Sequence, residues 1–144
     1  MPKGAGWLSL VGFFGLAVAA DAQTPLSQTA GSQFDGTYAL VSSTKLTETF
    51  IVPESGRMRP CPDWQVGPLT IVRGQAKVSF VSTSHGVHAD FDGMVGSKGE
   101  LVIRSVNPAY DAPAERLLNG RIDGAGTVRA RLITGCKFDY VWRK

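Results

Sequence analysis

The sequence lacks the short motifs that mark common catalytic and cofactor sites. It contains no G-x-S-x-G nucleophile elbow, no H-E-x-x-H zinc motif and no glycine loop of the phosphate-binding type. Its glycines occur instead at the spacing of β-hairpin turns. A Ser/His/Asp site can still assemble from distant residues, but no local pattern indicates one. We therefore predict no cofactor.

Cysteine is almost absent, with two residues in the chain, Cys61 and Cys136. Two cysteines in an exported protein are most simply paired, so we predict one Cys61–Cys136 disulfide, formed in an oxidising compartment. Because the disulfide would close a long loop, its stabilisation could reach roughly 4 kcal/mol. A redox-active pair is the alternative, but the C-x-x-C spacing that makes a thiolate reactive is missing.

Long apolar runs are absent except at the N-terminus. A charge-free apolar run follows the positive Lys3 and spans residues 7–20, which is shorter than a membrane-spanning helix needs. Small residues flank a cleavage site after Ala22, with cleavage after Ala20 as an alternative. We therefore predict a signal peptide and a mature periplasmic or secreted protein without a membrane span. A buried N-terminal helix is the competing interpretation.

Concentrated charge of one sign is also absent. The net charge is +3, and the basic residues are scattered along the chain. A nucleic-acid surface would show blocks of Lys and Arg or basic residues interleaved with aromatic platforms. We therefore predict no nucleic-acid partner.

The chain is rich in the alternation of apolar and polar residues that is typical of β-strands, most clearly in the segment 117–144. Residues 69–81 predict a tight hairpin with its turn at Arg73-Gly74. The segment Leu46–Val52 could form a strand or open a short helix. The segment Pro53–Pro68 is predicted to be a long loop because it contains several prolines.

A hairpin pattern occurs twice in the chain. Residues 91–104 and 118–131 both fit [FL]-[DN]-G-x-[VI]-x-x-x-G-x-[LV]-x-x-R. The second glycine indicates a three-residue loop with glycine in the left-handed conformation, which determines the register of both hairpins. With the final strand added, the predicted cross-strand pairs are Val95–Leu101, Ile122–Val128, Asp92–Arg104, Arg121–Arg129, Asn119–Arg131, Ala130–Tyr140, Val128–Trp142 and Arg131–Asp139.

These elements predict an all-β protein with residues 1–22 as signal peptide, 23–33 as flexible leader and 34–144 as a single domain. Short strands with one apolar face must close on themselves or pair as two sheets, because an open sheet would leave apolar surface and edges exposed. We predict a small antiparallel up-and-down (meander) barrel of about 7–8 strands, in which the first strand closes against the last. A β-sandwich is the alternative.

Several aromatic residues share the inward parity of the predicted strands, namely Tyr38, Phe80, Phe91, Tyr140 and Trp142. In a small barrel such residues either fill the interior or line a cavity for one small apolar ligand. Their bulk in so short a chain favours filling.

Two groups of polar residues are candidate binding sites. His88, Asp90 and Asp92 alternate on one strand with His85 just before them, so they could bind a divalent metal, although a solvent-exposed strand face is the simpler interpretation.

The second group is arginine-rich. The solvent-exposed face of neighbouring strands is predicted to carry Arg104, Arg121, Arg129 and Arg131. Like charges opposite each other destabilise a sheet unless an anion or carboxylate lies between them. The group is therefore either a patch for an anion or an acidic partner, or dispersed surface charge balanced by nearby aspartates.

Short segments of the chain resemble a group of small, uncharacterised exported bacterial proteins. The similarity lies in Phe34-Asp35-Gly36-Thr37-Tyr38, in Cys61-Pro62, in the Gly67–Ile71 segment, in the two hairpin copies and in the ending from Cys136 to Trp142. The resemblance implies export and an all-β fold, and it implies no activity.

Together these observations predict an exported, non-enzymatic β-domain, expected to be a monomer, that binds a small ligand or a protein partner. A small periplasmic hydrolase or metal-dependent enzyme is the alternative, and it would require convergent polar groups in a concave pocket. An inhibitor or envelope-structural role would instead show an exposed apolar patch near Pro53–Trp64.

Overall fold

The computed structural model describes residues 29–83, 88–105 and 116–144, which form eleven β-strands and contain no helix. Every strand pairing is antiparallel. The strands are β1 (Gly36–Lys45), β2 (Thr49–Ile51), β3 (Met58–Pro60), β4 (Trp64–Val66), β5 (Leu69–Val72), β6 (Gln75–Ser82), β7 (His88–Val95), β8 (Glu100–Ser105), β9 (Leu117–Ile122), β10 (Thr127–Ile133) and β11 (Lys137–Arg143).

Eight of these strands close into a barrel. The chain runs from β1 to β5 and then through β6 to β11 in sequence order, each strand pairing with the next, and β11 pairs with β1. Leu40 of the first strand lies opposite Trp142 of the last. The meander barrel predicted from the sequence is therefore confirmed.

The glycine-based registers are also confirmed. Gly99 and Gly126 have φ angles of 87° and 78°, in the left-handed region that favours glycine. Their three-residue loops place Val95 opposite Leu101 and Ile122 opposite Val128, as predicted. In the β5–β6 hairpin Arg73 and Gly74 both have positive φ, so they form a two-residue turn that sets Ile71 opposite Ala76.

The inward side chains of the barrel form one apolar core. Phe80 lies at its centre, with ring centroids 4.8 Å from Phe91 and 5.4 Å from Tyr140. Gly93 and Gly120 occupy equivalent inward positions in the two hairpin copies, and a Cβ at either would overlap the backbone of the neighbouring strand. The neighbouring strands therefore approach each other closely at these two glycines. Each large side chain buried in this way contributes about 1.5–3 kcal/mol to the free energy of unfolding.

The two ends of the barrel differ in construction. One end, called the turn end here, carries the short turns at residues 73–74, 96–99 and 123–126. Ala30 is buried against this end, and its amide donates to the Val95 carbonyl over 2.9 Å. The opposite end, called the hairpin end, carries the long connection from β1 to β4, which contains the separate two-stranded sheet of β2 and β3.

The long connection is more ordered than the sequence predicts. Leu46–Val52 contains the short strand β2 rather than a helix, and the predicted loop Pro53–Pro68 contains β3 and β4. β4 pairs with the second half of β6, whereas β5 pairs with the first half. Gly67 joins the two, and its amide donates to the Ser79 carbonyl over 2.9 Å. Pairing with β6 therefore continues through Gly67 as far as Pro68. The amino-acid composition of this segment does not reveal that pairing.

Candidate functional site

The hairpin end is held to the barrel by covalent and polar links. The predicted disulfide is present and joins Cys61 to Cys136 at the turn before β11. Two hydrogen bonds tie the connection to Lys137: the Leu46 amide donates to its carbonyl over 2.9 Å, and its amide donates to Thr47 Oγ1 over 2.8 Å. The β2–β3 hairpin is consequently anchored at both of its ends.

Lys45 supports the same anchor. Its ammonium lies 2.6 Å from Asp63 Oδ1 and also donates to the Cys61 carbonyl. The hydrogen bond to Asp63 is the largest cause that raises the pKa of Lys45 above its ordinary value. The lysine therefore remains charged at physiological pH and links the end of β1 to the start of β4.

The β2–β3 hairpin has one covered face and one open face. Phe50 packs against the barrel core and lies against Gly135. On the other face Ile51 lies directly opposite Met58, and Thr49 lies opposite Pro60. Ile51 and Met58 are 62% and 69% exposed, the highest values among the large hydrophobic residues of the described chain. The open face is thus an apolar surface displayed to solvent.

Trp64 lies where the hairpin end meets the barrel. Its ring makes an edge contact with Phe80 at 6.2 Å between centroids. The Arg116 guanidinium lies 5.6 Å from the Trp64 centroid, a distance suited to a cation–π contact. Because Arg116 precedes β9, this contact joins the β4–β6 side of the barrel to the β9 side.

The aromatic residues predicted to face inward are all buried. Tyr38 donates its hydroxyl to the Phe34 carbonyl over 2.8 Å, and the Trp142 indole donates to the Gly67 carbonyl over 3.1 Å. Tyr140 differs, because its buried hydroxyl has no hydrogen-bond partner. Burial raises the pKa of the Tyr140 phenol well above its ordinary value, so the group stays protonated. The five rings form packing contacts of the core.

Two of the predicted metal-binding residues, His88 and Asp90, form a polar network on the outer face of β7 with Ser79 of β6. Asp90 accepts a hydrogen bond from Ser79 over 2.7 Å and lies 3.0 Å from His88 Nε2. The Ser79 hydrogen bond is the largest cause that lowers the pKa of Asp90, and His88 contributes further. Asp92 lies opposite Arg104, as predicted. His85 lies outside the described residues.

Within 29–83, 88–105 and 116–144, no three His, Cys, Asp or Glu side chains are grouped closely enough to hold a metal ion. In the same ranges no helix is long and apolar enough to cross a membrane.

The predicted arginine patch divides into two parts. Arg121 lies opposite Arg129, and Arg131 lies beside them opposite Asn119. Arg104 has different cross-strand neighbours, with Asp92 opposite it on one side and Leu117 on the other. The structure therefore brings Arg121, Arg129 and Arg131 together and separates Arg104 from them.

Arg131 is engaged by the last strand. Its Nε and Nη2 donate to the two Asp139 oxygens over 2.7 Å and 3.0 Å. This pairing raises the pKa of Arg131 and lowers that of Asp139. Beside the pair lies an open depression on the outer wall, lined by Asn119, Arg129, Ala130, Arg131, Ile133, Asp139, Tyr140 and Val141.

Comparison of the chain with protein-family models, with curated proteins and with solved structures finds no match.

Sequence reasoning missed the exposed pair on the hairpin. Ile51 and Met58 become neighbours only because β2 and β3 pair, and β3 was predicted as part of a loop. The β-branched and aromatic content of Leu46–Val52 was the available signal, but it did not show which residues the barrel covers.

Proposed function

We propose that this protein is an exported, non-enzymatic binding module that docks a protein partner on the open face of the β2–β3 hairpin. The observation that carries the proposal is the adjacent, exposed pair Ile51 and Met58 on a hairpin whose other face is anchored by Phe50. Exposure of two neighbouring apolar side chains to water is unfavourable, and a partner that covers them removes this cost.

Anchoring favours binding because less motion is lost on association. The Cys61–Cys136 disulfide, the Lys45–Asp63 ion pair and the Phe50 contact hold the hairpin before any partner arrives. A surface that is rigid before association pays a smaller entropic cost than a free loop. The anchor therefore has a role in presentation as well as in stability.

Side-chain contact suits this hairpin better than strand addition. Pro60 has no amide hydrogen, so β3 offers an interrupted edge to an incoming strand. The open face instead presents Ile51, Met58 and Pro60 side by side, all of them exposed. We infer a partner with an apolar pocket that receives the methionine, a side chain that adapts to irregular pockets.

The test is site-specific photo-crosslinking in the envelope of the source organism. A photoreactive residue replaces Met58 in one variant and Val72 in the control, because Val72 is an exposed apolar residue on the barrel wall, with 53% of its surface accessible. We expect a discrete protein adduct from position 58, and no such adduct from position 72. Ile51→Ser in the Met58 variant should abolish the adduct.

Two results would overturn the proposal. One is a pattern of adducts that is the same at positions 58 and 72, which would indicate random collision. The other is the absence of any protein adduct at position 58. Fractionation of the same cells also tests export, for which we expect the mature chain in the periplasm or the medium.

A further inference from the structure

The two hairpin copies provide an internal comparison for the arginine patch. Both have the same register, with Asp92 opposite Arg104 in the first copy and Asn119 opposite Arg131 in the second. At the next pair of positions whose side chains point out of the barrel, Met94 lies opposite Val102 in the first copy. The equivalent pair in the second copy is Arg121 and Arg129. The same backbone therefore accepts an uncharged pair where the second copy carries two cations.

The charge at this position is costly for the sheet. Like charges directly opposite each other on one face of a sheet destabilise it. Val141 lies opposite Arg129 on its other side and offers no compensating charge, whereas Glu100 lies opposite Arg121. Arg129 is thus flanked by a cation on one side and an apolar residue on the other.

Nearby carboxylates already have other donors. Asp139 accepts two hydrogen bonds from Arg131. Asp123 Oδ1 accepts the amides of Ala125 and Thr127 over 2.9 Å and 3.0 Å, which supports its own turn. Glu100 accepts the Lys98 amide over 3.1 Å. Asp123 and Asp139 therefore serve a turn and another arginine, respectively.

We propose that Arg129, with Arg121 and the Asn119 amide, binds a phosphate or carboxylate group in the open depression on the outer wall of β9–β11. Arg129 and Asn119 both line that depression. A guanidinium donates two parallel hydrogen bonds to a carboxylate or phosphate, and the amide adds a neutral donor. Asp139 also lines the depression, and its pairing with Arg131 offsets its repulsion of an anion.

This site is separate from the β2–β3 hairpin, so the two proposals can fail independently. Ile51→Ser with Met58→Ser should leave anion binding unchanged. Arg121→Met with Arg129→Val should leave the photo-adduct at position 58 unchanged.

The test uses Arg121→Met with Arg129→Val, which gives the second copy the pair that the first copy carries. Orthophosphate and citrate are titrated into wild type and variant by calorimetry, with sodium chloride at equal ionic strength as the reference. We expect one or both anions to bind the wild type, and the variant to bind about tenfold more weakly or worse. A charge-matched control, Arg57→Ser with Lys98→Ser, should bind as the wild type does.

Melting temperatures at low ionic strength give the second readout. Without phosphate or citrate, the Arg121→Met, Arg129→Val variant should melt at a higher temperature than the wild type, because the like-charge pair is gone. The inference is overturned if neither anion exceeds chloride, if binding survives in this variant, or if the wild type without anion is the more stable protein. In the last case the arginines would serve the fold.

Discussion

At the turn end, backbone hydrogen bonds and short turns close the barrel, and Tyr38, Arg73 and Lys144 all have hydrogen-bond partners there. At the hairpin end, closure depends on a disulfide and on the long connection that carries β2 and β3. Trp64 at that end leaves its buried indole N–H without a partner. The turn end closes through hydrogen bonds and short turns, whereas the hairpin end adds a covalent link and leaves one buried polar group without a partner.

This difference bears on how the molecule can display an apolar surface without losing stability. A surface used for binding must keep apolar groups exposed, which costs stability, and the rest of the molecule must offset that cost. Ile51 and Met58 are exposed at the end that carries the disulfide. The distribution is what we expect if the disulfide offsets the cost of keeping these two side chains exposed for a partner.

The largest expected effect follows from removing the disulfide. Cys61→Ser with Cys136→Ser should lower the free energy of unfolding by up to about 4 kcal/mol, because the cysteines are 75 residues apart in sequence and their link restricts the unfolded chain. Urea denaturation measures the loss. Trypsin should also cleave the double variant sooner, after the exposed Arg57. A loss below about 1 kcal/mol would mean that the noncovalent contacts hold the hairpin end by themselves.

An intermediate effect should distinguish a glycine at each end. Gly74 at the turn end and Gly56 in the β2–β3 hairpin both have positive φ, but a Cβ on Gly74 would overlap the Ala30 carbonyl, whereas one on Gly56 meets no atom within 4 Å. We expect Gly56→Ala to cost about 1 kcal/mol from backbone strain alone. Gly74→Ala should cost about 2–4 kcal/mol, because Ala30 must also be displaced. Equal costs in thermal denaturation would show that the Ala30 contact contributes little.

The smallest expected effect comes from two tyrosines. Tyr38→Phe removes the hydrogen bond to Phe34 and should cost about 1 kcal/mol. Tyr140→Phe removes a buried hydroxyl without a partner, so it should be neutral or should stabilise the protein by about 1 kcal/mol. Chemical denaturation of both variants at neutral pH measures the contrast, and a clear loss of stability in Tyr140→Phe would contradict it.

Alkaline pH gives a second readout for Tyr140. Its folded pKa is raised from the ordinary 10.0, so its contribution is fully present below pH 10 and is lost above it, as the phenol ionises in the unfolded chain first. The free energy of unfolding should therefore fall more steeply above pH 10 in the wild type than in Tyr140→Phe. Identical slopes would mean that Tyr140 ionises freely in the folded protein.

Much of the barrel wall could be predicted because its information is local. Alternation identifies which side chains face inward, and the left-handed glycines determine the loop length and hence the register of each hairpin. The pairing of Arg121 with Arg129 follows from the same rule, and that of Arg131 with Asp139 follows from the short turn at residues 134–136. With two cysteines, only one intramolecular disulfide was possible.

The hairpin end was less predictable because its contacts join residues far apart in sequence. β3 and β4 are three residues each, too short for a periodic pattern to identify. The same reason applies to Ala30 at the turn end. It was predicted within a flexible leader, and its hydrogen bond to Val95 can form only after β7 has joined the barrel. The separation of Arg104 from the other three arginines likewise depends on which residues lie side by side across four strands.

The sequence by itself determined an all-β meander with two equivalent hairpins and one disulfide, because turn chemistry and alternation act between neighbours in the chain. Only the tertiary structure decided which apolar residues remain outside. Ile51 and Phe50 are adjacent and both apolar, yet the barrel covers Phe50 and leaves Ile51 beside Met58 in solvent. Burial depends on what a side chain meets after folding, and that property is not encoded in its immediate neighbours.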